Sequence, residues 1–354
     1  MINDYGWTER LQQDFAPFHE RGFIPARVLV QQRGRFTLAT EHGEVVAELA
    51  GKFAHDAGVG EYPAAGDWVA CTVREGEGAG TVHGLVPRHS AFTRKGANGV
   101  QVVAANIDLA LLTTSLNADF SPRRLERYLA NTYECGASPV IVLTKADLAE
   151  DIEAMVAEAE AIAFGVPVIA LSALTGEGLD ALREHLKPGQ TSVVLGMSGT
   201  GKSTLVNALA GAEIMVTQGI IEEGARGKHT TTHRELVRLP SGALMLDTPG
   251  MREIGVFGAD EGVDLLFGDI DALAADCRFS NCRHEREPGC AIRAALKDGA
   301  LDEGRWHSYV KLQKELAFEA RKEDHHLRLA AKQIWVQRAK ANRVRTKFKG
   351  AVEE

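Results

Sequence analysis

The chain is 354 residues long, 45% hydrophobic and 25% charged, with a formal net charge of −8. That length admits two or three domains, each with its own core, and the composition is that of a globular chain rather than a fibrous or disordered one. No run is apolar for long enough to span a membrane, the first ten residues lack the layout of a signal peptide, and five cysteines are too few for a disulfide framework. The expectation is a cytoplasmic protein with no membrane partner.

Residues 1–22 are polar with scattered aromatics and show no clear period. Across 23–90, five short β-like runs follow: 27–30, 35–39, 45–49, 67–73 and 81–86, bounded by turns at Gly34, His42-Gly43, Pro63 to Gly66 and Glu75 to Gly80. Five short strands in so few residues suit a closed OB-type barrel, with a generic ligand-free β-domain as an even alternative. Residues 88–101 read as a polar connector. Across 91–258 the text then alternates strand and helix, the strands nearly continuous in Val, Ile and Leu, as in a parallel sheet covered on both faces. Residues 259–354 lose the strands and carry a Cys/His cluster followed by helix-forming text. The architecture expected is multidomain: an N-terminal OB-fold barrel, a central α/β P-loop domain and a C-terminal helical domain with a zinc knuckle.

The strongest signal is Gly196-Met197-Ser198-Gly199-Thr200-Gly201-Lys202-Ser203, between the apolar run 192–195 and a helix-like run opening at Thr204. Strand, G-x-x-x-x-G-K-S loop and helix make a phosphate cradle: the glycines turn the backbone so that N–H groups face phosphate oxygens, and the helix N-terminus adds partial positive charge. Lys202 is placed to reach the outer phosphates and Ser203 to offer its hydroxyl to Mg²⁺. Asp247-Thr248-Pro249-Gly250 closes a later apolar strand, where Asp247 can hold Mg²⁺ through water and the Gly250 N–H can meet the γ-phosphate. Between them, residues 224–233 form a polar, glycine-containing segment with His229 and three threonines, of which Thr231 is favoured for Mg²⁺.

Thr144-Lys145-Ala146-Asp147 ends one buried strand and Ser172-Ala173-Leu174 the next. The Asp147 carboxylate can accept both the N1–H and the 2-amino donors of guanine. Adenine offers neither and would leave the carboxylate unpaired. The ligand expected is therefore GTP.

These strings resemble the G-motifs of translation-type GTPases, but with the base-reading motifs ahead of the phosphate loop. That is the order of circularly permuted GTPases, a rearrangement that leaves the site intact because the ends of compact domains lie close together. Cys277-x₄-Cys282-x-His284-x₅-Cys290 supplies three thiolates and one imidazole, matching a closed, structural Zn²⁺ site with one ion per chain. Cys71 and Cys135 sit in apolar text and read as core thiols.

Barrel, permuted GTPase and Cys-Cys-His-Cys knuckle together closely resemble the RsgA (YjeQ) family of ribosome small-subunit-dependent GTPases, over roughly residues 20–345. The resemblance implies GTP hydrolysis stimulated by the small ribosomal subunit, contact with its rRNA, and a role in late small-subunit maturation and the release of other assembly factors. The family commonly has Asn where this chain has Thr144, and a hydroxyl offers fewer bonds than an amide, so weaker base affinity is expected. Met251 follows D-T-P-G where Ras-like GTPases carry a water-orienting glutamine, which predicts slow intrinsic hydrolysis. His229 is the candidate for positioning water once the ribosome orders its loop, against contact with RNA phosphate alone. The last thirty residues, 325–354, carry a net charge of +6 in a chain otherwise at −14, favouring RNA phosphate as their partner. A P-loop ATPase or kinase, and an RNA-binding scaffold holding GTP structurally, stand as alternatives. Nothing demands more than a monomer.

Overall fold

The structure, a computed structural model, describes residues 2–213, 234–247 and 266–314, apart from positions 33, 59, 75, 77, 97, 98, 117–119 and 164. Segment 224–233 with His229 and Thr231, Gly250, Met251 and the basic arm lie outside the described residues. The chain divides into two compact units, residues 1–255 with 261–271, and residues 256–260 with 272–354.

Within the first unit, β1 (Ile24–Gln32), β2 (Arg35–Thr40), β3 (Gly43–Leu49), β4 (Trp68–Arg74) and β5 (Ala79–Leu85) run in spatial order β1-β2-β3-β5-β4. β4 returns to pair with β1, so the five strands close into a barrel, with β3 and β5 parallel and the other pairs antiparallel. Closure requires β1 to serve two neighbours. Its first part, Ile24 to Arg27, pairs with β4 and its second, Arg27 to Gln32, with β2, with a register shift between Val28 and Val30 bending the strand. Alternating side chains, among them Val28, Leu38, Ala47, Val69 and Val82, fill the interior. This is the OB topology that the strand count left undecided.

The aromatic text at the N-terminus has a structural use. After a 3₁₀ turn at Ile2–Tyr5, α1 (Glu9–His19) starts where the Thr8 hydroxyl accepts the Leu11 N–H at 3.3 Å. Leu11 and Phe15 pack on Trp68, Ala70 and Val86, and the Trp7 ring meets Trp68 edge-on at 4.8 Å. The polar connector is corrected. β6 (Ala91–Gly96) and β7 (Gly99–Ala105) form their own antiparallel ladder. Lys, Arg and Gln within the two strands conceal their alternation in the sequence, whereas Phe92, Val103 and Ala104 are buried.

The α/β part holds β8 (Leu109–Ser115), β9 (Ser138–Thr144), β10 (Val168–Ala170), β11 (Thr191–Leu195), β12 (Arg234–Arg238) and β13 (Leu244–Asp247), in the order β10-β9-β8-β11-β13-β12. All pairings are parallel except β12 with β13. Helices at Pro122–Glu134, Ile152–Ile162, Leu179–His185 and Lys202–Ala210 connect them. The chain leaves β8 toward β9 and β10 but leaves β11 toward β13 and β12, so the β8/β11 boundary is the point where ligands bind in open α/β sheets. β12 also pairs with β1, Val30 opposite Glu235 and Gln31 opposite Arg234, so one eleven-stranded sheet runs through both parts.

A nucleotide site and a metal cluster

Parallel strands bring the candidate residues to one edge. At the carboxyl end of β11, the phosphate loop begins with Gly196 at φ 154° and turns through Gly199 and Gly201, both at positive φ. Gly201 leads into the helix Lys202–Ala210, so the helix N-terminus lies at the loop. Ser203 and Thr204 occupy its first turn. Lys202 Nζ donates to the Gly196 carbonyl at 2.8 Å and to the Met197 carbonyl, which folds the ammonium back over the loop. Ser198 and Gly199 are exposed at the tip.

The base-reading loops leave β9 and β10, the second and third strands from β11 across β8. Lys145 adopts a left-handed conformation (φ 60°, ψ 41°), costly for a residue with a side chain and typical of residues fixed for function. It turns the chain into a short 3₁₀ helix, where the Ala146 N–H donates to the Leu171 carbonyl at 3.1 Å and Asp147 is exposed. The buried Ser172 hydroxyl accepts the Thr175 N–H at 3.2 Å and so shapes its own turn, with Ala173 half-buried beside it. Thr144 does not turn outward. Only 2% exposed, its hydroxyl donates to the Thr200 carbonyl at 2.6 Å and lies 3.3 Å from the Thr114 carbonyl. It joins the base-reading strand to the phosphate loop, a contact the sequence motif did not suggest.

Asp247 ends β13, one strand over from β11 in parallel register (Val193 opposite Leu246). The backbone therefore sets Asp247 and Ser203 at the same sheet edge.

In the second unit, Cys277, Cys282, His284 and Cys290 present ligand atoms that all lie within 4.8 Å of one another. Cys277 Sγ is 3.9 Å from Cys290 Sγ and 3.6 Å from His284 Nδ1, and Cys290 Sγ is 3.4 Å from the same nitrogen. Ligands at tetrahedral corners about 2.3 Å from Zn²⁺ stand roughly 3.8 Å apart, so the donor set and spacing both fit that ion. His284 reaches its place with φ 61°. Glu287, which the ligand spacing did not single out, organises the loop: its carboxylate accepts the N–H groups of Arg283, Glu285 and Arg286 at 3.0–3.2 Å. The backbone N–H of Glu287 itself, then those of Arg286, Arg283 and Glu285, hold its pKa down to about 2 against the effect of burial. The helix Ala291–Asp298 follows directly, and Trp306 meets the His284 ring edge-on at 5.6 Å.

A P-loop site whose base-reading loops come first in the chain and leave the same edge of the same parallel sheet defines a circularly permuted GTPase. Comparison with known proteins agrees. The RsgA GTPase family model matches residues 85–257. A protein of Opitutus terrae named small ribosomal subunit biogenesis GTPase RsgA is 43% identical over 365 residues, covering 99% of this chain and all of that one. A protein of the same name from Syntrophotalea carbinolica is 45% identical over 89% of this chain and 90% of its own length. The crystal structure of YjeQ from Thermotoga maritima superposes with a TM-score of 0.64 at 28% identity, over 83% of this chain and 99% of that one. That of YloQ, described as a circularly permuted GTPase, gives 0.62 at 25% identity over 84% and 96%. The chain belongs to the RsgA GTPase family.

Proposed function

We propose that this GTPase acts on the small ribosomal subunit during its biogenesis, hydrolysing GTP slowly alone and faster on the subunit. The observation that carries this is the Thr144–Thr200 contact, which makes the base-reading and phosphate-binding loops one site, in a chain matched end to end by a relative named for that process. Asp147 would read the guanine edge, beside Lys145, Ala146 and the Ser172-Ala173 turn. Backbone N–H groups of Gly199 to Thr204 would surround the phosphates, with Lys202 released from its own loop carbonyls onto them. Ser203, Asp247 and Thr231 would hold Mg²⁺, which neutralises phosphate charge when bound. Gly250 would meet the γ-phosphate, and His229 would orient water.

The exposed barrel and the basic residues 325–354 would supply the rRNA contacts, with Zn²⁺ fixing the fold of the Cys/His loop. A monomer in the cytoplasm, meeting other assembly factors on the subunit, is consistent with this reading. The test is turnover of GTP and ATP with and without purified small subunits. Stimulation by about tenfold or more with GTP alone supports the proposal, in line with GTPases that complete their site on a partner. ATP turnover, or GTP binding without turnover in either condition, overturns it in favour of an ATPase or a structural-nucleotide scaffold.

A further inference from the structure

We propose that Thr113, on β8 and outside all the nucleotide-binding motifs, is a positioning residue for the phosphate loop; the proposal rests on the nucleotide site described above. β8 is buried along its length, and its apolar run Leu109-Ala110-Leu111-Leu112 ends in three hydroxyl residues, Thr113, Thr114 and Ser115. Buried hydroxyls are costly unless bonded, so a cluster of them at the ligand-binding end of a strand calls for partners there.

Thr113 is 1% exposed, and its Oγ1 donates to the Leu195 carbonyl at 2.8 Å, the last residue of β11 before the loop. The same oxygen lies 3.2 Å from Thr200 Oγ1 on the far shoulder of the loop. Thr200 Oγ1 in turn donates to the Met197 carbonyl at 3.0 Å, and its own carbonyl accepts from Thr144. One side chain thus spans both shoulders.

Each hydroxyl has a single proton. Thr113 commits its proton to Leu195 and Thr200 commits its own to Met197, so the Oγ1–Oγ1 contact is packing rather than a third bond. Removing the Thr113 hydroxyl therefore removes one backbone anchor without leaving Thr200 short of an acceptor. Gly196 is fitted against the same group: a Cβ there would stand 2.2 Å from Thr113 Oγ1, 2.5 Å from the Thr113 carbonyl oxygen and 3.0 Å from Thr200 Oγ1. The loop entry is seated on Thr113 with no space between them. Gly196 and Met197 are also the residues whose carbonyls hold Lys202. Thr113 consequently fixes the backbone from which the lysine and the loop amides reach phosphate.

The test compares T113V, T113S and T132V with wild type. Valine keeps the shape and loses the donor, whereas serine keeps the donor. Thr132 is an equally buried threonine whose hydroxyl donates within its helix to the Tyr128 carbonyl at 2.8 Å, away from the loop. Binding is followed by displacement of a fluorescent GDP analogue, with GDP and with guanosine as competitors. The expected result for T113V is a loss of about tenfold in GDP affinity, the scale of one buried hydrogen bond, with guanosine affinity unchanged. T113S and T132V should stay within about twofold of wild type. The proposal is overturned if T113V binds GDP like wild type, if guanosine weakens in parallel, or if T113S or T132V loses as much. A wild-type chain that binds no guanine nucleotide would remove both this proposal and the GTPase reading.

Discussion

Arg27, on the first barrel strand, donates from Nη2 to Thr191 Oγ1 at 2.9 Å, at the start of the strand that ends in the phosphate loop. The same nitrogen lies 3.3 Å from the Asn106 carbonyl, and the guanidinium sits over the Trp68 ring at 5.0 Å. Burial pulls its pKa down to about 10, opposed by Asp108 and Asp67, so it is still charged at neutral pH. Asp67 is itself gripped through both carboxylate oxygens by Arg88 at 2.6 and 2.7 Å. Barrel and nucleotide-binding sheet are therefore joined through a buried polar junction as well as by the β1–β12 pairing.

Arg27→Ala should lower unfolding stability by about 3 kcal/mol, because it empties a buried site and strips nearby carboxylates of a countercharge. Arg27→Lys should recover only part of that, since an ammonium cannot reproduce the planar contact with Trp68 and the directed bond to Thr191. Denaturant unfolding checks both variants; a stable Arg27→Ala protein would refute the role of the junction.

Gly196→Ala should abolish nucleotide binding, because its Cβ would meet both the Thr113 hydroxyl and the Thr113 backbone oxygen. Adding Thr113→Ala removes the first clash and leaves the second, so the double variant should remain inactive. Recovery of GDP binding in the double variant would show that the backbone contact is not limiting.

Asp147→Ala should reduce the preference for GTP over ATP by about a hundredfold, the scale of two charge-assisted hydrogen bonds. Competition binding with both nucleotides measures it. Thr144→Ala should instead weaken both alike, since its hydroxyl donates to the Thr200 carbonyl and so steadies the phosphate loop that both nucleotides use.

Burial raises the thiols of Cys71 and Cys135 to about 12. At pH 8 neither should react with a thiol reagent in the folded, zinc-loaded protein, whereas chelation should expose Cys277, Cys282 and Cys290 to it. The sign for stability follows. The folded state holds these protons more tightly than the unfolded one, so stability is complete below about pH 9 and falls as pH rises toward 12, by up to about 1.4 kcal/mol per pH unit for each thiol.

Glu287→Gln should speed zinc loss to a chelator by about tenfold, because a neutral amide holds the three loop N–H groups less firmly than the carboxylate does. The carboxylate pKa is depressed, so its contribution is present above about pH 4.5 and fades as pH falls toward 2.

The sequence by itself determined the features encoded by neighbouring residues. A phosphate loop, a T-K-A-D turn and a zinc knuckle are backbone conformations with side chains at fixed spacing, and glycine, lysine and cysteine announce them locally. The order of those motifs revealed the permutation, and the five barrel strands were legible from their alternation and turns. Tertiary structure decided what depends on partners distant in the chain. β6 and β7 were concealed because their polar residues break the alternation, and α1 because its aromatic face makes sense only against Trp68. The bond from Thr144 to the Thr200 carbonyl likewise depends on the fold, which brings residues 56 positions apart together. Thr113 and Arg27 carry no motif at all, for a hydroxyl or guanidinium gains its meaning from the atom it meets, and topology alone brings Leu195 and Thr191 to them.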